Sequence, residues 1–381
     1  MIYLDNAATS HPKPEQVYVR MDRFAREVGA NPGRSGHRMA IEAEAEIASV
    51  RRALTTLFGG TNPGRLIFTL NATDALNMAL KGVLMRGDHV VTTVIEHNSV
   101  ARPLNAMESS GWITVTRVRP APDGTIDPGD IDAAINDRTR LVVLGQASNV
   151  LGAAQRIGEI GAVVRRRERL FAVDAAQGAG VLPIDIGKDS IDLLAFTGHK
   201  GLLGPVGTGG LYVGDRVSPR PWREGGTGGD SALPTQPVDY PHALEAGTPN
   251  TVGIAGLGEA VNFVATRGVI SMGDHERRLA ARLWGVLKPD TRVSLHGPEP
   301  APGRARTGIV SLTLAGHTPS EVGAILDSAF GIAVRTGLHC APGAHRFLGT
   351  FPEGTVRVSP GPFNTEDEID TLGAALREIL T

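Results

Sequence analysis

The amino-acid sequence predicts an α/β protein with a mostly parallel, seven-stranded sheet in a large domain, followed by a smaller α+β domain. Between residues 65 and 213, short runs rich in β-branched residues are apolar on both faces, which is typical of strands buried in a parallel sheet. Helix-length amphipathic stretches separate most of these runs, the alternation of a doubly wound sheet. The chain has 381 residues, more than one hydrophobic core usually holds, so two domains are expected.

The predicted elements follow the chain in order. An amphipathic helix over 38–58 comes first, because Ile47, Val50 and Leu54 recur at helical spacing. The strands of the sheet are predicted at 66–70, 89–95, 113–118, 140–145, 170–174, 193–197 and 209–213. The helices between them are predicted near 73–85, 98–109, 130–136 and 156–168.

The domain boundary is predicted from a change in the sequence near residue 252. The stretch 218–251 is rich in Gly, Pro and Thr, which predicts long ordered loops at a site mouth or a subunit contact. Beyond it, helices alternate with pairs of strands up to a final amphipathic helix at 365–380. We therefore predict a large domain at 15–251 and a small domain formed by 1–14 and 252–381.

The composition favours a small-molecule site over a nucleic-acid or membrane surface. The net charge of -2 gives no broad basic field. The opening residues lack a basic segment followed by an apolar one, and no stretch approaches the ~20 apolar residues of a membrane span. A single cysteine cannot form an internal disulfide, so a reducing, cytoplasmic location is expected. One cysteine with scattered histidines also lacks zinc-site spacing, and no metal is expected.

One carboxylate and one amine are predicted to meet at the edge of the sheet. Asp174 ends a strand, and Lys200 follows the next strand in the tight turn TGHKG. Open α/β sheets bind ligands at the carboxyl edge, where both residues would lie. Pyridoxal phosphate (PLP) needs this pair, because an amine condenses with its aldehyde and a carboxylate keeps its pyridine nitrogen protonated. The alternative is an Asp that caps a helix and a Lys on the surface.

A phosphate site is predicted where a helix follows the first strand of the sheet. The backbone N–H groups of Ala72 and Thr73, with the Thr73 hydroxyl, would face an anion at that helix N-terminus. Thr197 and His199, just before Lys200, offer further donors. The alternative is that the 71–73 segment only caps the helix.

Four further residues are candidates for contacts with the ring or the substrate. His97 follows a strand, where it would stack on a planar ring and move protons at the substrate Cα, unless it is a core or capping histidine. Gln177 and Asn149 would hydrogen-bond the ring hydroxyl or the substrate, or cap loops. Arg357 is predicted on a strand of the small domain, where its guanidinium suits an α-carboxylate unless it is simply exposed.

Cys340 is predicted to be a nucleophile. It lies in the loop-forming segment RTGLHCAPGAH, with His339 and His345 close in sequence. A free cysteine is usually a small buried hydrophobe. A cysteine on a loop beside histidines is instead placed to react as a thiolate.

Segments along almost the whole chain resemble the class V aminotransferase superfamily and, within it, the cysteine desulfurases and selenocysteine lyases. They are YLDNAATS (3–10), RSGH (34–37), NATDALN (71–77), EHNS (96–99), SNVLG (148–152), VDAAQGAG (173–180), GHKGLLGP (198–205), EAGTPN (245–250), RTGLHCAP (335–342) and TVRVSPGPFNTEDEID (355–370). The resemblance implies the PLP fold type I.

The resemblance also implies a role for each candidate residue. Lys200 would hold PLP as a Schiff base, and the cofactor contacts would come from Asp174 at the ring nitrogen, His97 over the ring, Gln177 at the ring hydroxyl, and Ala72, Thr73, Thr197 and His199 at the phosphate. The substrate carboxylate would be bound by Asn149 and Arg357. The family is dimeric with sites at the subunit interface, so Arg34, His37 and Thr251 would serve the neighbouring subunit's site.

The implied reaction converts L-cysteine to L-alanine and leaves a persulfide on Cys340. Alternatives within the superfamily are a selenocysteine lyase, a cysteine lyase or an aminotransferase, and a different class would be a non-catalytic sulfur-relay scaffold. Leu338 stands where one common subgroup has a histidine. The segment after the cysteine is short, which is typical of the subgroup that passes its persulfide to an acceptor protein.

Overall fold

The computed structural model describes residues 1–33, 36–228, 232–301 and 305–381. The chain begins with the short strand β1 (Ile2–Tyr3) and the helices α1 (Glu15–Glu27) and α2 (Arg38–Leu57). Helix α2 confirms the helix predicted over 38–58. Helix α1 was not predicted, because it is mostly polar and buries only Val17 and Phe24.

All the predicted strands of the central sheet are confirmed. They are β2 (Leu66–Thr69), β3 (His89–Thr93), β4 (Thr114–Val118), β5 (Thr139–Gly145), β6 (Leu170–Asp174), β7 (Leu193–Thr197) and β8 (Gly209–Val213). Their order in the seven-stranded sheet is β2-β8-β7-β6-β5-β3-β4. Only β8 runs antiparallel to its neighbours, β2 and β7. The sheet is therefore mostly parallel, as predicted.

Both faces of the sheet are covered. The helices that connect the strands are α3 (Ala72–Val83), α4 (Asn98–Ser109), α5 (Pro128–Ala134) and α6 (Ile157–Arg166). Along β5, Val142 and Leu144 belong to one core cluster, while Leu141 and Val143 belong to the other. Since successive strand residues point to opposite faces, the apolar run of β5 contributes side chains to both cores.

The C-terminal part holds a separate, antiparallel sheet with its own core. Its helices are α7 (Thr251–Arg267), α8 (Val269–Leu287), α9 (Pro319–Phe330), α10 (Pro342–Leu348) and α11 (Glu366–Ile379). Its strands are β9 (Val293–His296), β10 (Val310–Leu314), β11 (Ile332–Ala333), β12 (Arg335–Gly337) and β13 (Thr355–Val358). The four-stranded sheet has the order β12-β13-β10-β9, and β11 pairs with β1. This smaller α+β part beside the large α/β part agrees with the predicted fold class.

The N-terminal strand β1 pairs with β11 of the C-terminal part. Helix α7 starts at the predicted boundary, yet Ile254 and Leu257 pack into the core of the large sheet. The division into 15–251 against the rest stays a prediction. Within the described ranges, no helix is both long and apolar enough to cross a membrane.

Candidate active site

The carboxyl edge of the central sheet opens into a pocket of about 710 Å³, counted out to its mouth. The predicted site residues that line it are Ala72, Thr73, His97, Asn149, Asp174, Gln177, Thr197, His199 and Lys200. Residues separated by more than 100 positions in the sequence are thus brought together by the sheet edge.

The charges of Lys200 and Asp174 act on each other in this pocket. Asp174 is the last residue of β6, and Lys200 follows the end of β7, the neighbouring strand. Burial raises the pKa of Asp174, whereas Ala176 N–H, 2.9 Å from Oδ1, and the Lys200 charge oppose the rise. Burial lowers the pKa of Lys200 to about 8, although Asp174 opposes this shift. The amine is therefore easier to deprotonate than an exposed lysine, as a nucleophile requires.

Free donors gather at the start of α3. Asn71 caps this helix, because its side-chain oxygen accepts a hydrogen bond from the N–H of Asp74 at 2.9 Å. The capping role that the sequence offered as the alternative for this segment is therefore also present. The backbone N–H groups of Ala72 and Thr73 bond to no other described residue. His199 Nδ1 is likewise buried without a partner in the described part of the chain. Unpaired donors at a helix N-terminus form an anion site.

The close approach of β8 shapes the same site. A Cβ on Gly209 would come within 2.7 Å of the Asn71 backbone, so only glycine lets β8 pass beside the start of α3. Thr197 lies opposite, on β7, and is almost completely buried. Glycine at position 209 therefore keeps the anion site narrow.

His97 is neutral and fixed in orientation. It caps α4, and its Nδ1 accepts the N–H of Ser99 at 3.0 Å, which leaves Nε2 to carry the ring proton. The Ser99 hydroxyl lies 2.6 Å from that of Thr73. Burial, together with the charge of Lys200, lowers the pKa of His97 to about 4. Both the predicted pocket role and the capping alternative therefore apply to this residue.

Cys340 lies on a strained loop that is tied to the pocket wall. His339 and Cys340 have φ values of 48° and 59°, a left-handed conformation that costs non-glycine residues about 1–3 kcal/mol each. Asn149 Nδ2 donates to the His339 carbonyl at 2.6 Å, and the Asn98 N–H donates to the Cys340 carbonyl at 2.7 Å. These bonds hold the loop that carries the exposed thiol beside the start of α4.

The two histidines near Cys340 in sequence do not flank its thiol. Both are buried: His339 Nε2 bonds to Thr355, and His345 Nδ1 bonds to the Thr350 hydroxyl at 2.8 Å. Burial lowers their pKa values, to about 2 for His339 and about 4 for His345. The expectation that they accompany a reactive thiolate is therefore not supported, since both are neutral.

Arg335, which the sequence analysis missed, is the cation beside the thiol. Its Nη2 lies 3.9 Å from Cys340 Sγ. It pairs across β12 and β13 with Arg357. The signal was present in the RTGLHCAP segment, where the arginine precedes the cysteine by five positions. Nothing in the sequence alone showed that the loop folds back onto it.

Arg357 is fully buried behind the pocket rather than exposed on its strand. Its Nη2 lies 2.8 Å from Asp5 Oδ1, and its Nη1 donates to the Asn149 carbonyl at 3.2 Å. Its Nε has no partner in the described regions. Its charge lowers the pKa of Lys200, so it lies within electrostatic range of the amine. The predicted role at the substrate carboxylate stays a prediction.

Two of the residues assigned to the neighbouring subunit's site, His37 and Thr251, do not line the pocket. His37 caps α2, its Nδ1 accepting the Ala40 N–H at 3.2 Å. Thr251 is the first residue of α7. Arg34 lies outside the described residues. Their predicted roles stay predictions, because the structure contains one subunit.

Glu96 is a second buried carboxyl in the pocket that the sequence did not reveal. Its Oε1 accepts the Thr93 hydroxyl at 2.6 Å, and its Oε2 accepts the Gly145 N–H at 3.0 Å. Burial raises its pKa to about 8, and the nearby Asp174 also raises it. Glu96 therefore stays protonated at neutral pH, which leaves Asp174 as the pocket carboxylate.

The Glu96→Gln variant should gain stability relative to the native chain as the pH rises. Between the unfolded pKa of about 4.3 and the folded value of about 8, only the folded state holds the proton, so stability falls by up to about 1.4 kcal/mol per pH unit. Glutamine keeps the shape and removes this loss. Urea unfolding of the cofactor-free protein at pH 6, 7 and 8 measures it, with the exposed Glu353→Gln as control. Equal pH slopes for native and Glu96→Gln proteins would contradict the assignment.

Comparisons with known proteins agree with this geometry. The aminotransferase class-V family profile matches residues 2–372. A probable cysteine desulfurase of Methanothermobacter thermautotrophicus is 34% identical, over 99% of this chain and 94% of that protein. The apo structure of a cysteine desulfurase from Thermococcus onnurineus superimposes with a TM-score of 0.92 at 31% identity, over 99% of this chain and 94% of the other. The cysteine desulfurase CsdA of Escherichia coli, in an S-sulfonic acid form, gives 0.88 at 28% identity, over 99% and 94%. The chain belongs to the class-V aminotransferase family.

Proposed function

We propose that this chain is a PLP-dependent cysteine desulfurase that converts L-cysteine to L-alanine and takes the sulfur as a persulfide on Cys340. The observation that carries the proposal is one pocket holding an amine, Lys200, and a buried carboxylate, Asp174, with a cysteine tied to its wall. Relatives that match nearly the whole chain bear the name cysteine desulfurase, which supports this substrate.

The residues present fit PLP. The phosphate would be held by the free N–H groups of Ala72 and Thr73 and by His199 Nδ1, all of which lack partners in the described chain. Asp174 would pair with the ring nitrogen, and Lys200 would bind the aldehyde. When bound, PLP draws electrons from the bonds at the substrate Cα.

Side chains of the protein carry out proton transfer, substrate binding and sulfur capture. Lys200, with a pKa near 8, takes and returns protons at the substrate. Neutral His97 donates from Nε2 and orders the pocket wall. Arg335 and Arg357 supply positive charge for the substrate carboxylate. Cys340 receives the sulfur.

The sulfur step balances without an external oxidant or reductant. The Cβ–S bond of cysteine breaks and an S–S bond forms at Cys340. The carbon gains the proton that the Cys340 thiol gives up, so the products are alanine and the Cys340 persulfide. The carbon is reduced as the sulfur is oxidised.

The reaction product distinguishes a cysteine desulfurase from the other enzymes of the superfamily. Incubation of the PLP-loaded protein with L-cysteine should yield alanine and enzyme-bound sulfur in equal amounts in the first turnover. Chromatography of the amino and keto acids, with mass spectrometry of the Cys340 peptide, measures both. Pyruvate would indicate a cysteine lyase, and a keto acid with the pyridoxamine cofactor an aminotransferase. A large preference for selenocysteine would indicate a selenocysteine lyase.

We also propose a homodimer with shared sites. A groove beside α2 is lined by Leu70, directly before the anion site, and by the 241–250 segment. Large apolar side chains are exposed at Ile41, Leu70, Val206 and Val238, and of these Leu70 lines the groove itself. A second subunit on this groove would bring its His37 and Thr251 near the pocket. Sedimentation should give twice the 40.0 kDa chain mass.

The persulfide on Cys340 is proposed to pass to an acidic thiol protein in the cytoplasm. Arg346 lies on α10 shortly after the loop, Arg119 stacks on Phe347 of the same helix, and Arg102 lies on α4, whose first residue bonds to the Cys340 carbonyl. All three are exposed, and none forms an ion pair with another described residue. Arg346→Glu should therefore slow sulfur transfer to an acidic cysteine peptide by about tenfold at low salt, because the steering charge is reversed. Transfer rates at rising salt measure this, with a neutral peptide as control. An unchanged rate would exclude charge as the basis of recognition.

A further inference from the structure

The strand that leads into the anion site has an open edge. Strand β2 lies at the end of the seven-stranded sheet and pairs on one side only, with β8. An edge strand leaves backbone N–H and C=O groups without a strand partner, and proteins cover such edges with other groups. The last residue of β2, Thr69, comes two positions before Asn71, which caps α3. The contacts on the open edge of β2 therefore bear on the start of α3.

Two side chains cover this open edge. Phe68 N–H donates to Glu245 Oε1 at 2.7 Å. Arg51 Nη1 donates to the Leu66 carbonyl. The Arg51 guanidinium also lies over the Phe68 ring, with Cζ 4.6 Å from the ring centroid. Arg51 belongs to α2 and Glu245 to the segment before α7, so two distant parts of the chain meet on β2.

Arg51 and Glu245 also bind each other. Their Nη1–Oε1 and Nη2–Oε2 distances are 2.7 Å and 3.0 Å, the parallel two-bond geometry of a strong Arg–carboxylate pair. The side chains are only 10% and 20% exposed, so water competes little for these bonds. We call Arg51 and Glu245 the edge clamp.

Short contacts connect β2 to the anion site. The Thr69 hydroxyl donates to the Asn71 carbonyl at 3.0 Å. On the other side, Gly209 of β8 lies so close that a Cβ on it would come within 2.7 Å of the Asn71 backbone. The N–H groups of Ala72 and Thr73 follow directly in the chain. A shift of β2 away from β8 would therefore move Asn71 and misalign these donors.

We propose that Arg51 and Glu245 are positioning residues that set the affinity of the anion site for a phosphate group. Neither side chain lines the active-site pocket, so both act through β2 and not by contact with the anion. Backbone N–H groups at a helix N-terminus bind an anion by pointing at it, so their alignment decides the affinity. The inference rests on the proposed function only in taking the phosphate of PLP as the natural anion.

The cofactor-free protein tests the edge clamp with inorganic phosphate. Glu245→Gln keeps one oxygen for the Phe68 N–H but loses the charged two-bond pair with Arg51, so the dissociation constant for phosphate should rise about tenfold. Calorimetric titration measures it. Glu46→Gln is the matched control, because the two-bond pair of Glu46 with Arg20 joins α2 to α1 and not to β2. Equal phosphate affinity in the native and Glu245→Gln proteins would overturn the inference.

Two forms of the cofactor then separate a local effect from a general loss of structure. PLP and pyridoxal share the aldehyde and the ring, but only PLP carries phosphate. Glu245→Gln should weaken PLP binding about tenfold and leave pyridoxal binding unchanged, as measured by the absorbance of the lysine-bound cofactor. Equal losses for both compounds would mean that the whole pocket is disturbed, and the positioning role would be wrong. Weaker phosphate binding in a protein whose Lys200 captures neither compound would instead remove the proposed function and keep the edge clamp.

Sedimentation separates the edge clamp from the proposed subunit contact. Arg51 and Glu245 also line the groove beside α2 on which a second subunit is proposed to dock. Glu245→Gln should sediment with the same mass as the native protein while its phosphate affinity falls. If the variant has half the native mass, the weaker binding would follow from the missing subunit, and the action of the pair through β2 would be overturned.

Discussion

Replacing Lys200 with Ala should abolish capture of PLP and lower alanine formation by about 10⁴-fold, the largest loss we expect from any single substitution. Among the residues that the structure describes, Lys200 is the only lysine that lines the pocket. Its amine is the one group there able to condense with an aldehyde and then to carry protons. Borohydride reduction followed by peptide mass spectrometry should find the cofactor on the Lys200 peptide of the native protein and nowhere in the variant.

The fold should survive this change. Burial depresses the pKa of Lys200, so the desolvated amine does not stabilise the cofactor-free protein, and its loss should not lower the melting temperature. Lys188→Ala, at a side chain 85% exposed, serves as the matched control with full activity. Cofactor retained on another lysine of the Lys200→Ala protein would contradict the assigned role.

The strands of the large sheet could be predicted because burial on both faces leaves a continuous apolar signal. LFAVD and LLAFT, now β6 and β7, begin and end where the sequence placed them. Two helices with a weaker sequence pattern, α1 and α10, were not predicted. Helix α1 buries two side chains, and α10 is seven residues long within a segment that glycines and proline made look like a loop.

The site could be predicted where it depends on strand ends. Parallel strands bring their carboxyl ends to one edge, so Asp174, Thr197 and Lys200 converge for reasons visible in the sequence. Glu96 and Arg335 could not be found this way. Their roles depend on burial and on contacts between distant segments, and an isolated Glu or Arg in a sequence most often marks a solvated surface.

The histidine expectation at the cysteine loop failed for a related reason. Proximity in sequence suggested that His339 and His345 flank the thiol, but the backbone at 339 and 340 is left-handed, and both imidazoles are buried against Thr355 and Thr350 instead. Sequence distance gives no warning of such a turn. Arg335, five residues earlier, takes the place beside the sulfur because β12 pairs with β13 under the loop.

Replacing Cys340 with Ala should leave PLP on Lys200 but lower alanine formation from cysteine on the order of 10³-fold or more. The thiol is exposed and tied to the pocket wall, and it does not line the cofactor pocket itself. Its loss removes the sulfur acceptor without removing a cofactor contact. The absorbance of the lysine-bound cofactor should therefore match that of the native protein, while mass spectrometry finds no added sulfur on the chain.

A substitution elsewhere on the same loop tests whether the loss of activity comes from the missing sulfur atom or from a changed loop conformation. Leu338→Ala removes apolar surface two residues away and keeps the thiol, so it should retain most of the alanine formation and the persulfide. Cys340 is the only cysteine of the chain, so no other thiol can take its place. Full alanine turnover in Cys340→Ala would mean that sulfur leaves directly as sulfide, and the nucleophilic role of Cys340 would then be wrong.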